Sequence, residues 1–407
     1  MRSPYRWHQF VFGLLGLALA APSVYLVLGL PLLMRQQGWS GTGIGLFQLA
    51  GLPAVFKVVL ALPVERWHPA RQPYSRWTLL LGIAYLIVLL VLAAVGVETP
   101  KAVLFALMLA CSVLATWADI PMNALAIKML PASERLFAGG VRSAALFAAV
   151  ILGGGAMLLL EQTLGWAAPF LAMSALLLLA LALIGSLKEA DAGNLAGESL
   201  SPSPILGGFF HQPGAWSWVV LLLAYFPFVA TAWIYLKPLL LDQGFPASQV
   251  AWIAGIGGGC LGALSSLATA RIVSRETLPH TLPLSALGNF LVLSLLAGVV
   301  WQAAGPVWLI TTTCLLAIAM GVTSSLAFSL MMDFSRQYHQ AVDYGIQASL
   351  FALGRTAVPP VAGVLLDIYR YPGMLLALAL AAFVVLLLTT GTQRFVVAQC
   401  VQERAVE

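Results

Sequence analysis

An acid, an amide and a base stand inside otherwise apolar sequence between Trp117 and Arg142. Asp119 lies well within a hydrophobic run that begins near Val103, and Asn123 follows four residues later. On a helix that spacing puts both side chains on one face, with Thr116 beside them. Arg142 belongs to the next apolar run, past the turn Pro131-Ala-Ser-Glu-Arg135. A charge at bilayer depth costs about 2.5–3.5 kcal/mol on insertion scales, so it survives where it faces protein or a water-filled cavity. Two chemistries fit. Either Asp119 and Arg142 line an interior path and handle a proton or a substrate, or they pair and lock two helices together. Asp119 is the candidate proton carrier, since a carboxyl exchanges its proton as a neighbouring cation approaches or leaves.

Other polar side chains share helix faces. Tyr25 stands in the first apolar run, Trp117 two residues before Asp119. Trp233 and Lys237 are four residues apart, with Tyr235 between them. Asp343 and Gln347 have the same spacing, and Arg355 lies two to three turns further along. Aromatic and amide groups among apolar walls suit a medium-sized amphipathic ligand, and a nearby cation suits an anionic one. Bland readings stand beside these. Trp233, Tyr235 and Lys237 fit interface anchors. Lys57 fits a snorkelling or packing residue. Asp343 fits a helix cap.

These residues must be positioned by membrane helices. The chain has 407 residues, 61% hydrophobic and 9% charged, with a mean hydropathy of +0.94. Soluble domains run near 25% charged, so this is an all-α, polytopic membrane chain. A bilayer core needs about 20 apolar residues per helix. On that criterion twelve spans are expected, near 10–34, 42–63, 77–96, 102–129, 137–161, 165–187, 215–241, 248–272, 282–302, 306–332, 342–366 and 372–393. Basic residues then fall mainly in inside loops, with only Arg35, Lys101 and Arg370 outside. That asymmetry predicts cytoplasmic termini.

The sequence lacks HExxH, HxxxH, GxSxG and P-loop motifs, so an enzyme reading has no motif behind it. The cysteines, Cys111, Cys260, Cys314 and Cys400, are far apart, which argues against disulfides and thiolate metal sites. No resident metal or cofactor is expected. The net charge of +5 fits cytoplasmic loops rather than nucleic acid.

The stretch from Lys188 to Pro213 is rich in Gly, Ser, Pro and acids and reads as a linker. It separates a first six-helix half, 1–187, from a second, 214–407, across a linker at 188–213. The halves resemble each other. Pro31-Leu-Leu-Met recurs as Pro238-Leu-Leu-Leu, and Gly140-Val-Arg-Ser-Ala-Ala-Leu-Phe147 echoes Gly345-Ile-Gln-Ala-Ser-Leu-Phe351. In that register Arg142 meets Gln347 and Lys128 meets Asp333, which adds Asp333 to the gating candidates. A six-plus-six parallel repeat is the layout of major facilitator transporters, with the substrate site near the midplane.

Around Asp119–Arg135 and Gly153-Gly-Gly155 the chain resembles the peptidoglycan-fragment and acetyl-CoA transporter branch of that superfamily. Met332-Asp333-Phe-Ser-Arg336, followed by Asp343-Tyr-Gly-Ile-Gln347, is similar to single-polypeptide siderophore permeases of the FptX/RhtX type. The resemblance implies proton-driven uptake of a ferric siderophore, such as ferric pyochelin, across the bacterial inner membrane. Iron would arrive already chelated, and a monomer in lipid is expected. Rivals within reach are a muropeptide permease, an exporter of small amphipathic molecules and a non-transporting sensor. The chain departs from the family pattern in places. Ala118 and Asn123 stand where the family has Gln and a second Asp, and Glu65-Arg66 stands where the superfamily's loop signature has Asp-Arg.

Overall fold

In hydrocarbon a backbone must satisfy its own N–H and C=O groups, and an apolar chain does so by coiling into α-helices. The computed structural model describes residues 4–26, 49–67, 72–96, 99–189, 202–274, 276–336 and 339–404. Every regular element among them is helical. In the first part of the chain these are α1 (Arg6–Val24), a 3-10 segment (Leu49–Phe56), α2 (Lys57–Arg66), α3 (Pro73–Ala94) and α4 (Lys101–Met129). Then come α5 (Ala132–Ile151), a π segment (Leu152–Ala156), α6 (Met157–Leu164) and α7 (Ala167–Ile184). After the linker follow α8 (Pro202–Phe210), α9 (Ala215–Ala224), α10 (Pro227–Asp242) and the short α11 (Ala247–Val250). A second π segment (Ala251–Gly257) leads into α12 (Gly258–Ile272), then α13 (Leu278–Trp301), α14 (Pro306–Asp333) and α15 (Gln340–Arg404).

Among the described residues, ten helical segments are long and apolar enough to cross a membrane. The last of them, Gln340–Gly391, covers the predicted span 342–366 and all but the end of 372–393. Its helix breaks at Arg370, whose φ of 56° is non-helical. The expected span 42–63 is described from Leu49 onward, as the 3-10 segment and α2. The first span starts earlier than expected, at Arg6, and its far end, with Pro31 and Arg35, lies outside the described residues. So do residues 190–201 of the linker.

Large apolar side chains such as Leu80, Ile87, Leu178, Leu284 and Leu380 point away from the protein, each more than half exposed. That is costly in water and neutral against lipid tails. The chain is thus a multi-pass membrane protein.

Two compact units organise the contacts. Unit 1 takes residues 1–134, 145–206 and 334–349; unit 2 takes 135–144, 207–333 and 350–407. In unit 1, α3 packs along α4 and α7, and α1 along α7 and α4. In unit 2, α14 is the hub for α12, α13 and α10. Each unit therefore includes one short segment from the opposite half of the sequence.

Gly153-Gly-Gly155 lies in the first π segment, and Gly255 and Gly257 lie in the second. Gly153 lies against the α1 backbone at Ala21 and Tyr25, so it serves close helix packing, while Gly155 and Gly255 face open space. In unit 2, hydroxyls bond across close contacts that glycines open, such as Gly139 against Ser329 and Gly321 against Gly262. Ser143 bonds to Ser266 at 2.8 Å and also to Ser324, and Ser329 donates to the Leu136 carbonyl at 2.8 Å.

Candidate functional site

The charged centre of unit 1 is built on α4. That helix carries Asp119 and Asn123 one turn apart, as their spacing requires, and both are buried. Asn123 donates its amide to Asp119 Oδ1 at 3.1 Å and to the Asp119 carbonyl at 2.6 Å. The cation facing Asp119 comes from α2. Lys57 Nζ lies 2.6 Å from Asp119 Oδ2, with the two side chains only 14% and 12% exposed. A third donor comes from α15, where the Tyr344 hydroxyl reaches the same Oδ2 at 3.2 Å. The Lys57 ammonium also stands 5.8 Å from the centre of the Tyr344 ring.

Gly345 makes this meeting possible. A Cβ at that position would lie 2.7 Å from Ala61 Cβ and 3.2 Å from the Lys57 carbonyl, so only glycine lets α15 approach α2 this closely. The contact is secured one turn further on, where Ser349 Oγ accepts the Val58 N–H at 2.9 Å. That bond takes up one of the N–H groups that a helix start leaves without an intrahelical partner.

A second buried network lies at the ends of the same helices. Glu65 Oε2 accepts the Ala341 N–H at the start of α15, at 3.1 Å, and the Tyr74 hydroxyl at 3.4 Å. His339 Nδ1 is 3.5 Å from Glu65 Oε1, a contact that becomes ionic when the imidazole is protonated. Glu189 accepts the Tyr74 and Ser75 N–H groups at 3.3 and 2.8 Å, capping α3, and pairs with Lys128 at 2.8 Å. Asp343 is fully buried and binds Arg336 through its guanidinium, at 2.6 and 2.8 Å, and its backbone N–H at 2.9 Å. It lies in the first turn of α15, where a carboxylate suits the helix N-terminus, and it also fastens the turn ahead of that helix. Gln347, also buried, donates to Ser335 Oγ and to the Asp343 carbonyl, both at 3.1 Å.

Several sequence expectations need correction here. Lys57 is an ion-pair partner inside the protein, not a snorkelling residue. Its role was hidden because its partner is 62 residues away, and because a 3-10 segment resets the helical phase just before it. Trp117 does not join Asp119. Positions two residues apart on a helix point about 200° from each other, and the Trp117 ring packs on Trp77 of α3 with centroids 6.0 Å apart. Tyr25 is buried at the end of α1 with its ring edge-on to Phe170 at 5.5 Å.

The remaining candidates belong to unit 2. Arg142 is buried, with its guanidinium 5.1 Å from the centre of the Phe328 ring. Trp233 is half-buried and its indole covers Gly258, and Tyr235 donates to the Pro359 carbonyl at 2.9 Å. Lys237 and Arg355 are exposed, and half-buried Asp333 ends α14. The chemistry concentrated in unit 1 is thus a largely buried ion pair, held by an amide and a phenol. Such a pair can exchange a proton or a counter-ion.

Solved structures of similar fold include three transport proteins. A variant of the E. coli fucose:proton symporter FucP superposes with a TM-score of 0.72 at 17% identity, over 95% of this chain and 98% of its own. The human organic anion transporter TETRAN gives 0.71 at 17% identity, over 95% and 100%. A bacterial homologue of the iron transporter ferroportin, in an outward-facing state, gives 0.69 at 14% identity, over 94% and 98%. The family profile of the Major Facilitator Superfamily matches residues 10–359. A helical chain whose polar residues are gathered inside apolar helices, and whose sequence fits that profile over most of its length, belongs to the Major Facilitator Superfamily and is a membrane transporter.

Proposed function

We propose that this chain imports a ferric siderophore from periplasm to cytoplasm across the bacterial inner membrane, driven by protons. In this reading it has twelve spans in two six-helix halves and both termini in the cytoplasm. The observation that carries the proposal is the Lys57–Asp119 pair, two opposite charges held among apolar helices and not fully buried. Intramembrane charges of this kind mark substrate paths and proton relays. Asp119 takes and releases the coupling proton, and Lys57, Tyr344 and Asn123 set its state. The substrate class follows from the resemblance at Met332–Arg336 and Asp343–Gln347. Among the proteins of similar fold, one is a proton symporter and one a homologue of an iron transporter. At their low identity they support the architecture, and the cargo rests on the motifs.

The test is uptake of iron-labelled ferric pyochelin into proteoliposomes, with and without an imposed proton gradient. An Asp119→Asn variant and a labelled muropeptide run alongside. Gradient-dependent siderophore uptake that is lost in the variant is the expected result. Muropeptide uptake without siderophore uptake would overturn the cargo. Siderophore uptake that survives Asp119→Asn would remove the coupling role.

A further inference from the structure

Among the described residues, Arg355 of unit 2 enters no hydrogen bond, ion pair or ring contact. It stands on α15 midway between Gln340 and the break at Arg370, with about 20 Å of helix on either side. A side chain cannot snorkel over that distance to the polar interface. Arg355 is nonetheless exposed. On α15 the acids nearest to it in sequence, Asp343 and Asp367, are each about three turns away, and Asp343 is taken by Arg336.

The direction of that exposure decides its meaning. Leu353, Val361, Val364 and Ile368 of α15 are each more than 40% exposed. They fall on one side of the helix, the side that meets lipid. At about 100° per residue, Arg355 falls on the opposite side. Its exposure is therefore to open space on the protein side of α15. Lys237 differs, since it shares the lipid side of α10 with exposed Ile234 and Leu241. The wall next to Arg355 is aromatic. Phe351, one turn before it, stacks on Phe226 with centroids 5.1 Å apart and lies 5.4 Å from Phe328. One turn past it, the Tyr235 hydroxyl ties α10 to α15 through the Pro359 carbonyl.

We propose that Arg355 is the receptor for the negative charge of the cargo, and that the cargo is an organic carboxylate with an aromatic or other flat apolar body. The proposal rests on the transport reading above and adds to it the charge of what is carried.

A guanidinium at mid-membrane depth is disfavoured unless it lines an aqueous path or meets an opposite charge. Arg355 meets the first condition through its open side. No described side chain meets the second, so a mobile anion does. The guanidinium cannot lose its proton, and its planar fork offers two parallel N–H donors that match both oxygens of a carboxylate. Phosphate matches the fork as well, but a small, strongly hydrated ion gains nothing from an aromatic wall. A carboxylate on an apolar body gains from both, with its oxygens on Arg355 and its body toward Phe351.

Benzoate probes this in the purified full-length protein in nanodiscs, with benzamide as its uncharged counterpart and inorganic phosphate as the hydrated oxyanion. Binding is read by isothermal titration calorimetry and folding by the melting temperature. Benzoate should bind, and benzamide and phosphate should not. Arg355→Gln should weaken benzoate binding by about tenfold or more, the fold-change of one hydrogen bond to a charged group. It should not lower the melting temperature, because the substitution strands no partner. Arg355→Lys keeps the charge without the fork and should bind benzoate between the two. Equal binding of benzoate and benzamide, no benzoate binding, or unchanged affinity in Arg355→Gln would each overturn the proposal. A clear fall in the melting temperature of Arg355→Gln would do so too, by showing a structural partner. Phosphate binding in place of benzoate would overturn the carboxylate class. If benzoate binding passes these tests while ferric pyochelin is not taken up, the siderophore falls and the anion receptor stands. Ferric pyochelin uptake that is unchanged in Arg355→Gln would remove the receptor and keep the siderophore.

Discussion

Lys57 Nζ and Asp119 Oδ2 lie 2.6 Å apart, closing an ion pair between α2 and α4 of unit 1. Breaking a buried pair by removing one partner leaves the other charge uncompensated, at a cost of about 3–5 kcal/mol, whereas removing both often costs little. Lys57→Met and Asp119→Leu should each lower the melting temperature of the detergent-solubilised protein clearly, and the double variant should recover most of that loss without recovering transport. A double variant less stable than either single would contradict this pairing.

Tyr344 offers a finer test. Tyr344→Phe keeps the ring beside Lys57 and removes one hydrogen bond to Asp119. A hydrogen bond to a charged group is worth about 1.5–3 kcal/mol. The variant should therefore be less damaging than Lys57→Met in the same melt, and it should change the pH at which transport is half-maximal. An unchanged pH profile would show that the phenol plays no part in handling Asp119.

Gly345 and Ala61 form a steric pair. Gly345→Ala would put a Cβ 2.7 Å from Ala61 Cβ, and overpacking of this kind costs about 1–3 kcal/mol. Ala61→Gly should relieve it, so Gly345→Ala/Ala61→Gly should melt above Gly345→Ala alone. If the second change brings no relief, the strain lies at the Lys57 carbonyl instead.

Glu189 has two duties, capping α3 through the Tyr74 and Ser75 N–H groups and neutralising Lys128. Glu189→Gln retains acceptor capacity and loses the charge; Glu189→Ala loses both. Alanine should cost more, about 3 kcal/mol or above for a broken buried pair, with glutamine in between. Unfolding in a graded denaturing detergent would rank them. Equal effects would mean that the charge alone matters.

The helices were readable because hydropathy over about 20 residues overrides local detail, and the Asp119–Asn123 relation because it is one turn of one helix. Partners supplied by other elements were harder to see. Lys57 follows a 3-10 segment, so its facing could not be phased from the sequence before it. Tyr344 sits between two polar candidates, Asp343 and Gln347, and reads as filler between them. Glu189 looks like one more acid in a flexible linker, and only the backbone geometry at Tyr74 and Ser75 reveals it as a cap. Trp117 shows the reverse error: closeness in sequence to Asp119 suggested a shared face, and the helix turned it to the far side.

The exchange of short segments between units has a consequence for synthesis. Unit 1 includes residues 334–349, so its Gly345 contact, its Tyr344 phenol and the Ala341 N–H on Glu65 do not exist until most of the chain has left the ribosome. Through that interval the first half must wait in the membrane without them. Lys57 with Asp119 draws both members from that half and Lys128 finds Glu189 just past its end, and Arg336 with Asp343 closes within the second. These charges can thus be neutralised before the late segment arrives, whereas the buried Glu65 carboxylate meets Ala341 and His339 only afterwards.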